Sequence, residues 1–303
     1  MSAVLPRPIS QAAVAPWIVA LVGFAAMYLP SYWAAAQGLW QTDEFGHAPI
    51  ILVTALWLFW QVREKLQAVP YEPLASLGWT LLILGVLLYS VGRVFNVSSA
   101  EFMSQPLVVA ALILLLKGPA ALRVAWFAVL YLMFMVPLPA TLVDAVTGPL
   151  KQWISVIVVD GLYAVGYPIS RTGVSVTVGQ YQLLIADACS GLNSMFSLAA
   201  LGTLFMYIMA RRNWLHNGIV LAAVLPIAFC ANIVRVIALV LVTYHFGDEA
   251  GQGFLHGAAG LLLFLVALAL FVALDLCAAV FLSVKRPQPA WRRTDGTKAE
   301  LAP

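Results

Sequence analysis

The sequence predicts an all-α polytopic membrane protein of about eight transmembrane helices, with a small extracytoplasmic β-hairpin. Of its 303 residues, 63% are hydrophobic and 10% charged, whereas roughly a quarter of residues are charged in soluble domains. Mean hydropathy is +0.94. Apolar runs approach the roughly 20 residues that cross a bilayer core, and each is closed by polar, Pro or Gly residues.

Residues 1–13 read as a cytoplasmic N-terminus. Five spans follow near 14–36, 48–62, 75–92, 106–117 and 121–137, an N-terminal helical region covering 14–137. The first is too long, and too poor in small-residue cleavage signals, to read as a removable signal peptide. Segment 138–189 is the one substantial loop, spans near 190–210, 214–243 and 254–284 follow it, and 285–303 is a basic tail. If the spans alternate from an inner N-terminus, twelve Lys and Arg residues fall on one side. Only Arg93, Lys151, Arg171 and Arg235 fall on the other. The positive-inside bias then places both termini in the cytoplasm and the loop outside.

The first half of that loop is apolar but interrupted by Asp144, Gly148-Pro149, Lys151 and Asp160, which fits an amphipathic helix at the interface better than a ninth span. In the second half, Val174, Val176 and Val178 alternate with Ser175 and Thr177 before Gly179-Gln180, a two-residue hairpin signal. Pairing across that turn sets Val178 opposite Tyr181, Val176 opposite Leu183 and Val174 opposite Ile185, so both strands share an apolar face.

Three isolated cysteines form no metal spacing and no disulfide framework. No metal, organic cofactor, nucleotide loop or basic stripe for nucleic acid is expected.

The hairpin leads to "IADACSGLNSMFSLAALGTLF", Ile185–Phe205. A cysteine in the first turn of a helix feels the positive end of the dipole, which favours thiolate; Asp187 could cap that helix. Asn193 and Ser197 follow Cys189 at intervals of four and continue one polar face. Ser190 is a weaker nucleophile, since a serine needs a dedicated base. In the seventh span Arg235 lies about 31 Å beyond Trp214 at 1.5 Å per residue, the full thickness of the core, with Asn232 on the same face. His256 falls in the first turn of the eighth span, among Gly253, Gly257 and Gly260, which permit close packing. His47 and His245 are also on the outer side. Cys230 and Cys277, without polar company, read as inert.

A thiolate, a guanidinium and an imidazole at one outer level suit acyl transfer at a peptide bond. Cys189 would attack the carbonyl, Arg235 would clamp the oxyanion or a substrate carboxylate, and His256 would serve as acid and base. A guanidinium stays protonated, so Arg235 is unsuited to moving the proton.

"ACSGLNS" at Ala188–Ser194, "ANIVR" at Ala231–Arg235 and "FLHGAAGLLLF" at Phe254–Phe264 resemble the Cys, Asn-x-x-Arg and His blocks of the exosortase/archaeosortase membrane transpeptidases. "DEFGHAPIILVTALWLFW", Asp43–Trp60, is similar to their opening His-containing segment, and looks closest to the exosortase B subtype. The resemblance covers about residues 14–284. It implies a multi-pass bacterial inner-membrane cysteine endopeptidase or transpeptidase, in cells that make exopolysaccharide. Its partners would be exported proteins with a C-terminal sorting signal of a Pro-Glu-Pro motif, a span and a basic tail, besides membrane lipid and an acyl acceptor. The family's Cys, Arg and His carry over to Cys189, Arg235 and His256, and His at the third position favours the exosortase side. Ala48 stands where a glycine is expected after His47. Two competing readings are a rhomboid-like serine protease using Ser190, and a transporter or assembly subunit of polysaccharide export. Residue order and the Asn-x-x-Arg block oppose the first. The outer, rather than midplane, position of the polar groups opposes the second.

Overall fold

The computed structural model of the chain describes residues 11–42, 45–173, 175–184, 194–209 and 214–281, apart from a few side chains that include that of His256. It is a helical polytopic membrane protein with one small antiparallel sheet. The chain divides into two compact units, Met1–Pro137 and Leu138–Pro303.

The first unit holds α1 (Gln11–Gln37), α2 (Ala48–Ala68), α3 (Ala75–Val94), α4 (Ser98–Leu116) and α5 (Pro119–Tyr131). Its tightest element is the antiparallel α3–α4 pair, seamed by glycines at steps of seven. A Cβ on Gly78 would lie 2.7 Å from the Leu115 side chain, one on Gly85 2.7 Å from Val108, and one on Gly92 2.5 Å from the Glu101 amide. Only small residues allow helix backbones to meet this closely.

Helix α4 starts eight residues before the expected 106. Its first turns carry Glu101, Ser104 and Gln105, which count against a span by hydropathy but are buried here against polar partners. Arg93 Nη1 donates to Glu101 Oε1 at 3.4 Å, Tyr28 and Ser104 share a hydrogen bond of 2.7 Å, and Gln105 donates to Tyr32 Oη. Helix α2 likewise runs past 62 to Ala68, adding a charged turn in which Arg63 lies over the Trp60 ring.

The second unit opens with α6 (Ala140–Ala164), continuous through Gly148-Pro149. One of its faces, with Ile154, Ser155, Val158, Val159 and Leu162, is buried, while Trp153, Asp160 and Tyr163 are exposed. The sheet follows in the order β1 (Ile169–Thr172), β2 (Ser175–Val178), β3 (Tyr181–Leu184). Val178 pairs with Tyr181 and Val176 with Leu183, as the alternation predicts, around Gly179 at φ +56°. The third expected pair, Val174 with Ile185, lies outside the described residues. Strand β1 is an addition: its Ile169 pairs with Val178, and Ile169, Val176 and Val178 are all buried. Gly173 at φ +64° makes the β1–β2 turn, a conformation that costs glycine little.

The remaining helices are α7 (Ser194–Met209), α8 (Trp214–Ala222), α9 (Val224–Phe246), α10 (Asp248–Gly257) and α11 (Ala259–Phe281). Two expected spans are therefore divided. The seventh is interrupted at Ala223, next to the place where Pro226 has no N–H to offer the Ala222 carbonyl four residues back. It ends at Phe246 rather than 243. The eighth is two helices meeting at Ala258, and its apolar part begins at Ala259 rather than 254. Five segments are long and apolar enough to cross a membrane: Ala15–Gln37, Ala75–Val94, Ser98–Leu116, Leu215–Phe246 and Ala259–Phe281. Pro119–Met135 and Phe196–Met209 are shorter apolar helices.

Candidate active site

Along α9 the buried side chains Ala228, Ala231, Asn232, Arg235, Leu239 and Thr243 recur at three- and four-residue steps, which gives one inward face. Arg235 is 7% exposed and Asn232 1%, so a guanidinium and a carboxamide one turn apart both point into protein. Polar groups at membrane depth take that position because hydrocarbon offers them no partner. The helix continues eleven residues beyond Arg235, or about 16 Å.

Leu215–Phe246 is 32 residues, or about 48 Å, against a core of roughly 30 Å, so one end projects. The sheet and α10 cover the Thr243–Gly247 end. Gly179 lies against the Tyr244 ring, and Tyr181 Oη lies near Gly247.

After Gly247, at φ +91°, α10 turns back antiparallel to α9, and Gly251 abuts the Thr243 hydroxyl so closely that no Cβ would fit. Far along the same pair of rods, His216 of α8 donates through Nε2 to Asp275 Oδ1 of α11 at 2.8 Å. These two fastenings fix the level of what lies between them. Eight residues from Thr243 toward Arg235 correspond to eight from Gly251, at Ala259. Nineteen residues from His216 to Arg235 correspond to nineteen back from Asp275, at His256. Counted from either end, Arg235 is level with the junction of α10 and α11 at 256–259. His256 itself is in the last turn of α10, not the first turn of a span.

A third fastening places α7. A Cβ on Gly202 would meet Phe271 at 2.5 Å and Val224 at 2.9 Å. Eight residues up α9 from Val224 is Asn232, and eight back from Gly202 is Ser194. The first described residue of α7 is therefore level with Asn232, and Ser197, one turn further in, is buried as expected for the polar face.

Among the sequence candidates, Asn232 and Arg235 share the buried face of α9, and His256 lies in α10, the helix folded back on α9. Asp187, Cys189, Ser190 and Asn193 lie outside the described residues, in the connection from β3 to α7. His245 is exposed ten residues beyond Arg235, with Tyr167 Oη 3.3 Å from its Nε2; His47 precedes α2 in the first unit. Cys230 and Cys277 are exposed on their helices. The His216–Asp275 pair went unforeseen, although an ionisable residue alone in each of two apolar runs was a usable signal.

No curated protein and no solved structure matches the chain. The family model of the transmembrane exosortases matches residues 39–273, a range that holds the Cys189, Arg235 and His256 blocks, α7 to α10 whole and α11 as far as residue 273. A match over so much of the sequence settles membership: the chain belongs to the transmembrane exosortase family.

Proposed function

We propose that the protein is a cysteine endopeptidase or transpeptidase of the bacterial inner membrane. It would cleave the C-terminal Pro-Glu-Pro sorting signal of exported proteins at the periplasmic face, in support of exopolysaccharide-associated sorting. Its work divides among Cys189, Arg235 and His256. The Cys189 thiolate attacks the scissile carbonyl carbon, and the tetrahedral oxyanion is held by the Arg235 guanidinium. As the C–N bond breaks, His256 passes a proton to the departing amine, leaving a thioester on Sγ. Water, an amine or a hydroxyl then attacks the thioester, giving up its proton to His256 and restoring the thiolate. Asn232, one turn from Arg235, supports the guanidinium side of the site, while Asp187, Ser190 and Asn193 flank the nucleophile.

The observation that carries this reading is the burial of Arg235 on the inward face of α9. An arginine serving only headgroups would extend to the interface with its guanidinium exposed. This one is 7% exposed, on the face that also buries Asn232. A donor fixed before the reaction in a water-poor site stabilises developing charge without reorganising. The test is mass spectrometry of a co-expressed substrate bearing a Pro-Glu-Pro signal, a span and a basic tail. The wild type should yield the cleaved substrate and a thioester adduct on the peptide containing Cys189. An adduct on Ser190, or cleavage that persists in Cys189→Ala, would reject the assignment.

A further inference from the structure

Helix α1 is fastened to its neighbours at one level. Among the described residues, the side-chain hydrogen bonds that join it to α3 and α4 fall between Met27 and Tyr32. Tyr28 bonds Ser104 at 2.7 Å, Tyr89 Oη donates to the Met27 carbonyl at 2.6 Å, and Gln105 donates to Tyr32 Oη. Nearer its N-terminus, a groove of about 530 Å³ opens between α1, α2 and α4, lined by Leu21, Phe24, Phe59, Leu66, Val109 and Leu116. Gln67 and Lys117 stand at its mouth, where α2 and α4 end. Phe59 and Val109 lie eight residues deeper in each helix, or about 12 Å. Such a lining gives water nothing to bond, so hydrocarbon fills it.

Lys117 is the one charged residue in the lining. It directly follows the apolar segment Ser98–Leu116, which places its ammonium where the helix leaves hydrocarbon. Nζ donates to the Gln67 and Val69 carbonyls at 3.3 Å each. These neutral acceptors hold the ammonium in place and leave its charge uncompensated, and among the described residues no carboxylate pairs with it. An ammonium has three N–H donors, so one remains for a ligand. We propose that the groove binds an anionic phospholipid, with one acyl chain between α1, α2 and α4 and the phosphate on Lys117. A basic residue at the mouth of a cleft between transmembrane helices selects acidic headgroups. The span of a sorting signal is also apolar, but in the proposed orientation its basic tail would meet Lys117 and be repelled. A second groove, of about 820 Å³ on the α3 side of α1, has no charged residue in its lining, so a lipid there gains nothing from an acidic headgroup.

The test is native mass spectrometry of the full chain, released from micelles that hold equal amounts of phosphatidylglycerol and phosphatidylcholine with the same acyl chains. Wild-type protein should retain phosphatidylglycerol about fivefold over phosphatidylcholine, the effect of one lysine at a membrane surface. Lys117→Gln, which keeps a donor for the α2 carbonyls, should abolish that preference, and Lys117→Arg should keep it. Arg123→Gln removes a charge from α5 outside the groove and should leave the preference unchanged. Val109→Trp, which fills the deep end, should lower retention of phosphatidylglycerol, and excess inorganic phosphate should not displace it. Equal retention of the two lipids by wild type, a preference that survives Lys117→Gln or is lost in Arg123→Gln, or displacement by phosphate alone overturns the proposal. So does retention of a synthetic apolar span with a lysine tail in place of the lipid. None of these readings involves Cys189 or substrate processing, so they stand or fall apart from the proposed reaction.

Discussion

Gly251 stands against Thr243 so closely that a side chain of any size would strike the threonine, and this contact turns α10 back along α9 toward Arg235. Thr243 lies eight residues beyond Arg235 on the same buried face of α9. Gly251→Val should push α10 off α9 and lower stability by about 1–3 kcal/mol, the usual effect of overpacking. Thermal unfolding in detergent would show this, with substrate processing lost at temperatures where the protein remains folded. Gly253, with nothing within 4 Å of a built Cβ, is the matched control, and Gly253→Ala should be close to silent.

Arg235 permits charge and geometry to be separated. Arg235→Lys keeps the cation but loses the fixed fork of donors, and loss of one oxyanion donor typically costs about 10²- to 10³-fold. Processing at matched abundance should fall by that order, with Arg123→Lys as an unaffected control. Near-normal processing by Arg235→Lys would reject the oxyanion role and leave Cys189 as a nucleophile with some other donor.

The thiol is tested by contrast with its two companions. Cys189→Ala should insert and accumulate normally and abolish processing, scored by substrate gel shift. Cys230→Ala and Cys277→Ala, at exposed helix positions, should process substrate at the wild-type rate.

The glycine seam of the first unit makes a stability prediction without reference to chemistry. Gly85→Leu would press against Val108, already 2.7 Å from a built Cβ, whereas Gly23→Leu meets nothing within 4 Å. The first should lower detergent stability by about 1–3 kcal/mol and the second should leave it unchanged. Equal melting temperatures would show that α3 and α4 do not pack through this seam.

Local pattern made part of this fold legible and hid the rest. Val176, Val178, Tyr181 and Leu183 could be paired in advance because a period of two and a Gly turn determine register within ten residues. The start of α4 could not, since Glu101, Ser104 and Gln105 are satisfied by Arg93, Tyr28 and Tyr32, partners that hydropathy does not see. Strand β1 is four residues with an exposed Arg171, too short for a periodic signal. At the site, Asn232 and Arg235 were legible as i, i+3 neighbours on one helix. The split at Ala258 was not, because Gly253, Gly257 and Gly260 permit either a continuous or a broken helix. His216 and Asp275 are 59 residues apart; each alone is an unexplained polar residue, and only the antiparallel packing of α8 and α11 makes them a pair.

Orientation carries the last prediction. The helical span ending at Phe246 exceeds the core by about 18 Å, and the sheet packs on that end through Gly179 and Tyr181. In the proposed orientation, with the Lys and Arg bias inside, that end is periplasmic. Gln180, exposed in the β2–β3 turn, is the position to label. In a variant lacking the three native cysteines, Gln180→Cys should react with a membrane-impermeant maleimide as soon as the outer membrane is permeabilised, with the inner membrane intact. A cysteine at Lys65, in the charged last turn of α2, should react only after the inner membrane is opened. The reverse pattern would place the sheet, Arg235 and His256 on the cytoplasmic side, away from any exported substrate. It would thereby reject the sorting function while leaving family membership untouched.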